Sequence, residues 1–122
     1  MAKKVLLIED EEALVKSMQM ALEDRYEVLV ALNGKEGFAK AQKEQPDLII
    51  LDILLPDING LEILRPLQED EKTDGIKIIV ATNLGDDETI SKIFAAGGKE
   101  YIVKSDWKIE DIVRKVTKVI GV

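Results

Sequence analysis

Apolar residues gather in five short runs, at 5–8, 28–32, 48–51, 76–81 and 101–103, and each is followed by a segment with helical spacing. The runs are continuous rather than alternating. Strands buried on both faces read this way, so the pattern predicts a parallel sheet between two layers of helices, an α/β fold. In the first helical segment Leu14, Met18, Ala21 and Leu22 share one face. In the fourth, Ile90, Ile93, Phe94 and Gly97 do so. The last is clearest: Ile109, Ile112, Val113, Val116 and Ile120 make a stripe, with Glu110, Asp111, Lys115 and Lys118 mostly on the other faces.

Local signals set expected boundaries. Asn33 and Asp106 are expected to cap helix N-termini, and Gly75 and Gly97-Gly98 to mark returns from helix to strand. Pro66 falls inside the third helix, which predicts an irregularity over 62–67. No linker, low-complexity stretch or repeat interrupts the pattern, so residues 1–122 are expected to form a single domain.

Charge narrows the function. Seventeen basic and 24 acidic residues leave a net charge of −7, which disfavours direct binding to nucleic acid or an anionic membrane. The longest apolar stretch, 48–55, is interrupted by Asp52 and is too short to cross a bilayer. There is no cysteine for a disulfide or thiolate site and no signal-peptide pattern, so a cytoplasmic location is expected. Histidine, the commonest general base, is also missing.

The chemistry is expected where parallel strands end, because open α/β sheets bind ligands outside their carboxyl edge. Four of the five runs lead into polar groups there: Glu9-Asp10, Asp52, Thr82 and Lys104. Taken singly, an Asp or Thr after a strand is usually a cap or turn former, and a lone Lys is usually solvated. Three carboxylates, a hydroxyl and an ammonium at one edge are harder to explain as caps. Crowded carboxylates repel by roughly 3 kcal/mol per pair at about 5 Å, so a cation must compensate. Oxygen donors without His or Cys favour Mg²⁺, with Mn²⁺ or Ca²⁺ possible. Lys104 and Thr82 can then meet the oxygens of a transferring phosphoryl group, with Asp52 as nucleophile.

These residues resemble the receiver domains of two-component response regulators over essentially the whole chain. The resemblance rests on Val5-Leu6-Leu7-Ile8-Glu9-Asp10-Glu11, on Leu51-Asp52-Ile53-Leu54-Leu55-Pro56-Asp57-Ile58-Asn59-Gly60, on the strand ending at Thr82 and on Tyr101-Ile102-Val103-Lys104. It implies a flavodoxin-like sheet of order 2-1-3-4-5, a strand order the family itself exemplifies. It also implies Asp52 as phosphoacceptor, Asp10 as a direct Mg²⁺ ligand and Glu9 as a ligand through water, with Asp52 and the Leu54 carbonyl completing the metal set. Lys104, Thr82 and the backbone at Leu54 and Asn83 would contact the phosphoryl group. Thr82 and Tyr101 would form the switch, and the fourth helix, fifth strand and fifth helix the readout face. The expected partners are a sensor histidine kinase or histidine phosphotransfer protein and a downstream protein, and the chain is expected to be a phosphoacceptor rather than an enzyme.

Four departures from the family pattern involve five positions. Glu9 replaces the commoner Asp, and Asn83 a small residue. Ser105 replaces a proline that often follows a cis bond, so Lys104-Ser105 is expected to be trans. Leu54 and Leu84 occupy positions where polar side chains can assist an attacking water, which predicts slow loss of the phosphoryl group. Three other readings stand beside this one: a receiver-like docking module never phosphorylated in the cell, a receiver cut from a longer transcriptional regulator, and a small phosphatase of the haloacid-dehalogenase type. Against the last, Leu54 stands where such enzymes usually carry a second Asp.

Overall fold

The computed structural model describes residues 2–122. Five strands and five helices alternate: β1 (Lys4–Ile8), α1 (Glu12–Leu22), β2 (Glu27–Ala31), α2 (Gly34–Glu44), β3 (Leu48–Asp52), α3 (Leu61–Glu69), β4 (Lys77–Thr82), α4 (Asp87–Ala95), β5 (Glu100–Val103) and α5 (Ile109–Ile120). The strands form one parallel sheet in the order β2-β1-β3-β4-β5, as the family resemblance implied.

The continuous apolar runs have the physical origin expected of them. Every residue of β3, near the middle of the sheet, is buried, whereas edge strand β2 is buried only at Ala31. Because side chains alternate across a strand, Val5 and Leu7 of β1 pack with Met18 and Leu22 of α1 and Ile112 and Val116 of α5. Leu6 and Ile8 face the other way, onto Ala41 of α2, Leu64 and Leu67 of α3 and Ile93 of α4. The sheet thus has α1 and α5 on one face and α2, α3 and α4 on the other. Among the described residues, no helix is long and apolar enough to cross a membrane.

Two boundary signals act as expected. Asn33 accepts the Glu36 N–H at 2.8 Å and caps α2. Gly97, at φ +101°, ends α4: its N–H bonds to Phe94 O and that of Gly98 to Ile93 O, a pairing that requires a left-handed residue.

Three expectations need correction. Asp106 does not cap α5, which begins after Lys108; the first turn is closed instead by Asp111, whose carboxylate accepts the Lys108 N–H at 2.9 Å. Asp106 belongs to the preceding turn, where its N–H bonds to Val103 O. Pro66 does not interrupt α3, which runs unbroken through it. Pro66 and Glu62, whose carbonyl would have taken the missing N–H, are both exposed, and the irregularity within 62–67 is confined to a tight first turn in which Ile63 N bonds to Gly60 O. Phe94, expected on the buried face of α4, is instead 52% exposed.

Candidate functional site

Parallel strands deliver their last residues to one edge, and the register decides which side chains meet. Ile8 pairs with Leu51, Asp52 with Ala81, and Thr82 with Val103. Glu9 extends β1 by donating its N–H to Ala31 O at 3.0 Å, and Lys104 extends β5 through its N–H to Thr82 O at 2.7 Å. Glu9, Asp52, Thr82 and Lys104 are thereby brought to the carboxyl edge, as expected.

Lys104 Nζ joins two of the acids. It donates to Glu9 Oε1 at 2.8 Å and to Asp52 Oδ1 at 3.1 Å, and all three side chains are less than a tenth exposed. The other Glu9 oxygen accepts the N–H groups of Asp10 and Glu11 at 3.1 and 3.2 Å. Burial, followed by the neighbouring Glu9 charge, pushes the Asp52 carboxyl up to about 6 against the pull of Lys104. Burial also works against the Lys104 ammonium, but its hydrogen bond to Glu9 and the charges of Asp52 and Glu9 outweigh it and raise its pKa.

Asp10 is exposed beside this buried trio. One oxygen each from Glu9, Asp10 and Asp52 lie within 4.8 Å of one another, an all-oxygen, anionic donor set that fits a hard divalent cation. Among the described residues Asp10 makes no ion pair, so one carboxylate in the group lacks a protein counter-ion.

Beside Asp52 lies a cavity of about 170 Å³, bordered by Leu54, Thr82, Leu84, Thr89 and Lys92. Leu54 and Leu84 are 64% and 62% exposed at its rim. The Thr82 hydroxyl is buried and lies 3.1 Å from both Leu84 N and Leu84 O, accepting from the first and donating to the second. Asn83 is exposed, and its carbonyl accepts from the Ser105 hydroxyl at 3.5 Å. Lys104-Ser105 is trans, as expected. Tyr101 is half-buried and meets Phe94 edge to face, with ring centroids 6.1 Å apart. Trp107 packs against the α1–α5 side of the core. A larger groove of about 380 Å³ runs from Trp107 along α5 and contains none of the edge acids.

Two features went unread in the sequence. One is the Glu9–Lys104 pair. Its signal was the extra methylene of Glu9, which gives that carboxylate the reach to meet a residue 95 positions away. The other is Asp57, whose carboxylate accepts the N–H groups of Gly34 and Lys35 at 2.8 and 2.9 Å.

Residues 5–117 match the family model of the response regulator receiver domain. The alkaline phosphatase synthesis transcriptional regulatory protein PhoP of Bacillus subtilis is 36% identical over 107 residues, 85% of this chain and 43% of that protein. Response regulator ArlR of Staphylococcus saprophyticus is 37% identical over 116 residues, 93% of this chain and 50% of its own. The chain spans about half the length of these relatives. Among solved structures, chemotaxis protein CheY4 of Vibrio cholerae superposes with a TM-score of 0.89 at 28% identity, covering 98% of this chain and 99% of that one. The BeF3-activated DrrB receiver domain superposes with a TM-score of 0.88 at 27% identity over the whole of both chains. The sheet order, the acids at its carboxyl edge and these matches lead to one conclusion: the chain belongs to the response regulator receiver domain family.

Proposed function

We propose that Asp52 accepts a phosphoryl group from a histidine kinase, a histidine phosphotransfer protein or a small phosphodonor, with Mg²⁺ bound, and that the modified domain signals to a protein partner. The observation that carries this reading is the Lys104 ammonium, placed 2.8 Å from Glu9 and 3.1 Å from Asp52 beside a cavity that also holds Thr82.

In the proposed step an Asp52 carboxylate oxygen bonds to phosphorus as the donor's P–N or P–O bond breaks, and the leaving group departs with that electron pair. Asp52 must be ionised to attack, and with its carboxyl near 6 it is mostly so at neutral pH. Lys104 is the cation that receives the transferred negative charge, and Thr82 supplies a hydroxyl donor once it leaves Leu84. The backbone at Leu54 and Asn83 offers further contacts. Glu9, Asp10, Asp52 and the Leu54 carbonyl would hold Mg²⁺ or, in its place, Mn²⁺. The ion would supply charge neutralisation for the incoming phosphoryl oxygens. Leu54 and Leu84 at the rim restrict water and give the acyl phosphate a long life.

The readout face is α4, β5 and α5. Movement of Thr82 toward the phosphoryl group opens space that Tyr101 takes up, a two-state equilibrium biased by a dianion. With a net charge of −7, any contact with DNA in a longer regulator belongs outside these 122 residues, and the working compartment is the cytoplasm.

The test is intact-mass analysis after incubation with acetyl phosphate and Mg²⁺. One phosphoryl addition is expected, absent without Mg²⁺ and absent in Asp52→Asn. No addition to the wild type would replace this reading with that of an unphosphorylated docking module.

A further inference from the structure

The segment that leaves the acceptor, residues 53–60, is held at its base and at its tip. At the base, Gly60 N donates to Ile53 O at 2.6 Å, and Leu54 lies opposite Asn59 in an isolated antiparallel bridge. At the tip, the two oxygens of Asp57 each take one N–H from the first turn of α2, Gly34 at 2.8 Å and Lys35 at 2.9 Å. The first amides of a helix have no partner within it, and α2 uses its own cap, Asn33, on a different one, Glu36 N. A second contact doubles the tie: a Cβ on Gly34 would come within 2.5 Å of Ile58 Cγ1, so the absence of a side chain is what lets Ile58 sit on the helix start.

These bonds are not ordinary helix capping, because the carboxylate comes from 23 residues away, on the loop that carries Leu54. The Gly34 and Lys35 N–H bonds also hold the Asp57 carboxyl below its usual range, so it is ionised throughout the neutral region.

We infer that Asp57 is a positioning residue for phosphorylation: by fastening the 53–60 loop to the start of α2, it sets the place of the Leu54 backbone at the metal and phosphoryl pocket. This inference rests on the function proposed above. Asp57 touches none of the reacting groups, and its effect passes through the loop. The element that grips the loop, α2, contributes no residue to the site, so the cation site depends on a helix that lies outside it.

The test uses the full chain and Mn²⁺ alone as probe, with free Mn²⁺ followed by its paramagnetic resonance signal. It compares wild type, Asp57→Ala and Asp57→Asn. Amide exchange over residues 53–60 in the metal-free proteins is the second readout. Asp57→Ala is expected to weaken Mn²⁺ binding about tenfold, the scale of losing a residue that orients a ligand, and to speed exchange at 54–60. Asp57→Asn keeps one acceptor oxygen and is expected to fall between the two, a partial rescue. Unchanged Mn²⁺ affinity in Asp57→Ala, with or without a lower melting temperature, would overturn the inference while leaving the proposed function standing. Absence of Mn²⁺ binding by the wild type would overturn both.

Discussion

Lys104 makes its shorter ion pair with Glu9, at 2.8 Å, and its longer one with Asp52, at 3.1 Å. The lysine therefore serves two acids, and removing it leaves both buried without a counter-ion. Lys104→Met is expected to destabilise the metal-free protein by about 2–3 kcal/mol, somewhat less than breaking a fully enclosed pair because the site has an open side. Saturating Mg²⁺ should recover part of that loss. Urea unfolding in chelator and in Mg²⁺ measures both, and equal stability of mutant and wild type in chelator would contradict the pairing.

The raised carboxyl of Asp52 makes a signed prediction. Its folded pKa of about 6 lies above its unfolded value of 3.8, so the folded state binds the proton more tightly. The resulting stability is fully present below pH 3.8 and is lost as pH rises through 6. Asp52→Asn should thus stabilise the metal-free protein at pH 7.5, by on the order of 1–2 kcal/mol after allowance for solvent at the open face. The gain should shrink as the pH is lowered through 6. A gain independent of pH between 4 and 8 would point to packing rather than charge.

Gly60 and Gly75 separate space from mere glycine content. A Cβ on Gly60 would lie 2.0 Å from the Asp52 carbonyl oxygen, a backbone atom that cannot step aside, whereas one on Gly75 meets nothing within 4 Å. Neither residue has a positive φ. Gly60→Ala is expected to cost about 3 kcal/mol or more, while Gly75→Ala is neutral or stabilising by up to about 1 kcal/mol. Thermal melts of the two variants decide the matter.

Leu54 and Leu84 predict the lifetime of the acyl phosphate. Replacing Leu84 with Glu puts a water-orienting carboxylate at the cavity rim and should shorten that lifetime by at least about tenfold, a fraction of the effect of a well-placed general base. Decay of the phosphorylated mass after removal of the donor gives the rate. A wild-type lifetime of seconds that matches the mutant's would remove the apolar rim as the cause.

The sheet was legible because its strands are buried on both faces, so burial alone writes their positions as apolar runs. Boundaries moved by a residue where the pairing, not hydrophobicity, decides: exposed Glu27 lies in register with Lys4 and joins β2, whereas apolar Ile76 falls outside β4, which begins at Lys77 opposite Leu48. Asp106 looked like a cap by its type and place, but the turn after β5 takes it, and Asp111 closes the helix from inside instead. Glu9, Asp10, Asp52, Thr82 and Lys104 were readable because each ends or follows a strand and parallel strands share one end. The Asp57 contact was not, since it depends on where two loops from different strands come together in space, and no periodicity records that.

The bond from Lys104 to Glu9 joins the last strand to the first across 95 residues. During folding, therefore, β1 and β3 can pair and bring their acids together before the one lysine that neutralises them has arrived. A chain caught with β5 undocked carries bare negative charge at the sheet edge, and a divalent ion should bind it as a temporary stand-in for the ammonium. Mg²⁺ would then act as a folding aid late in the reaction as well as a participant in signalling, and refolding should quicken when it is present from the start.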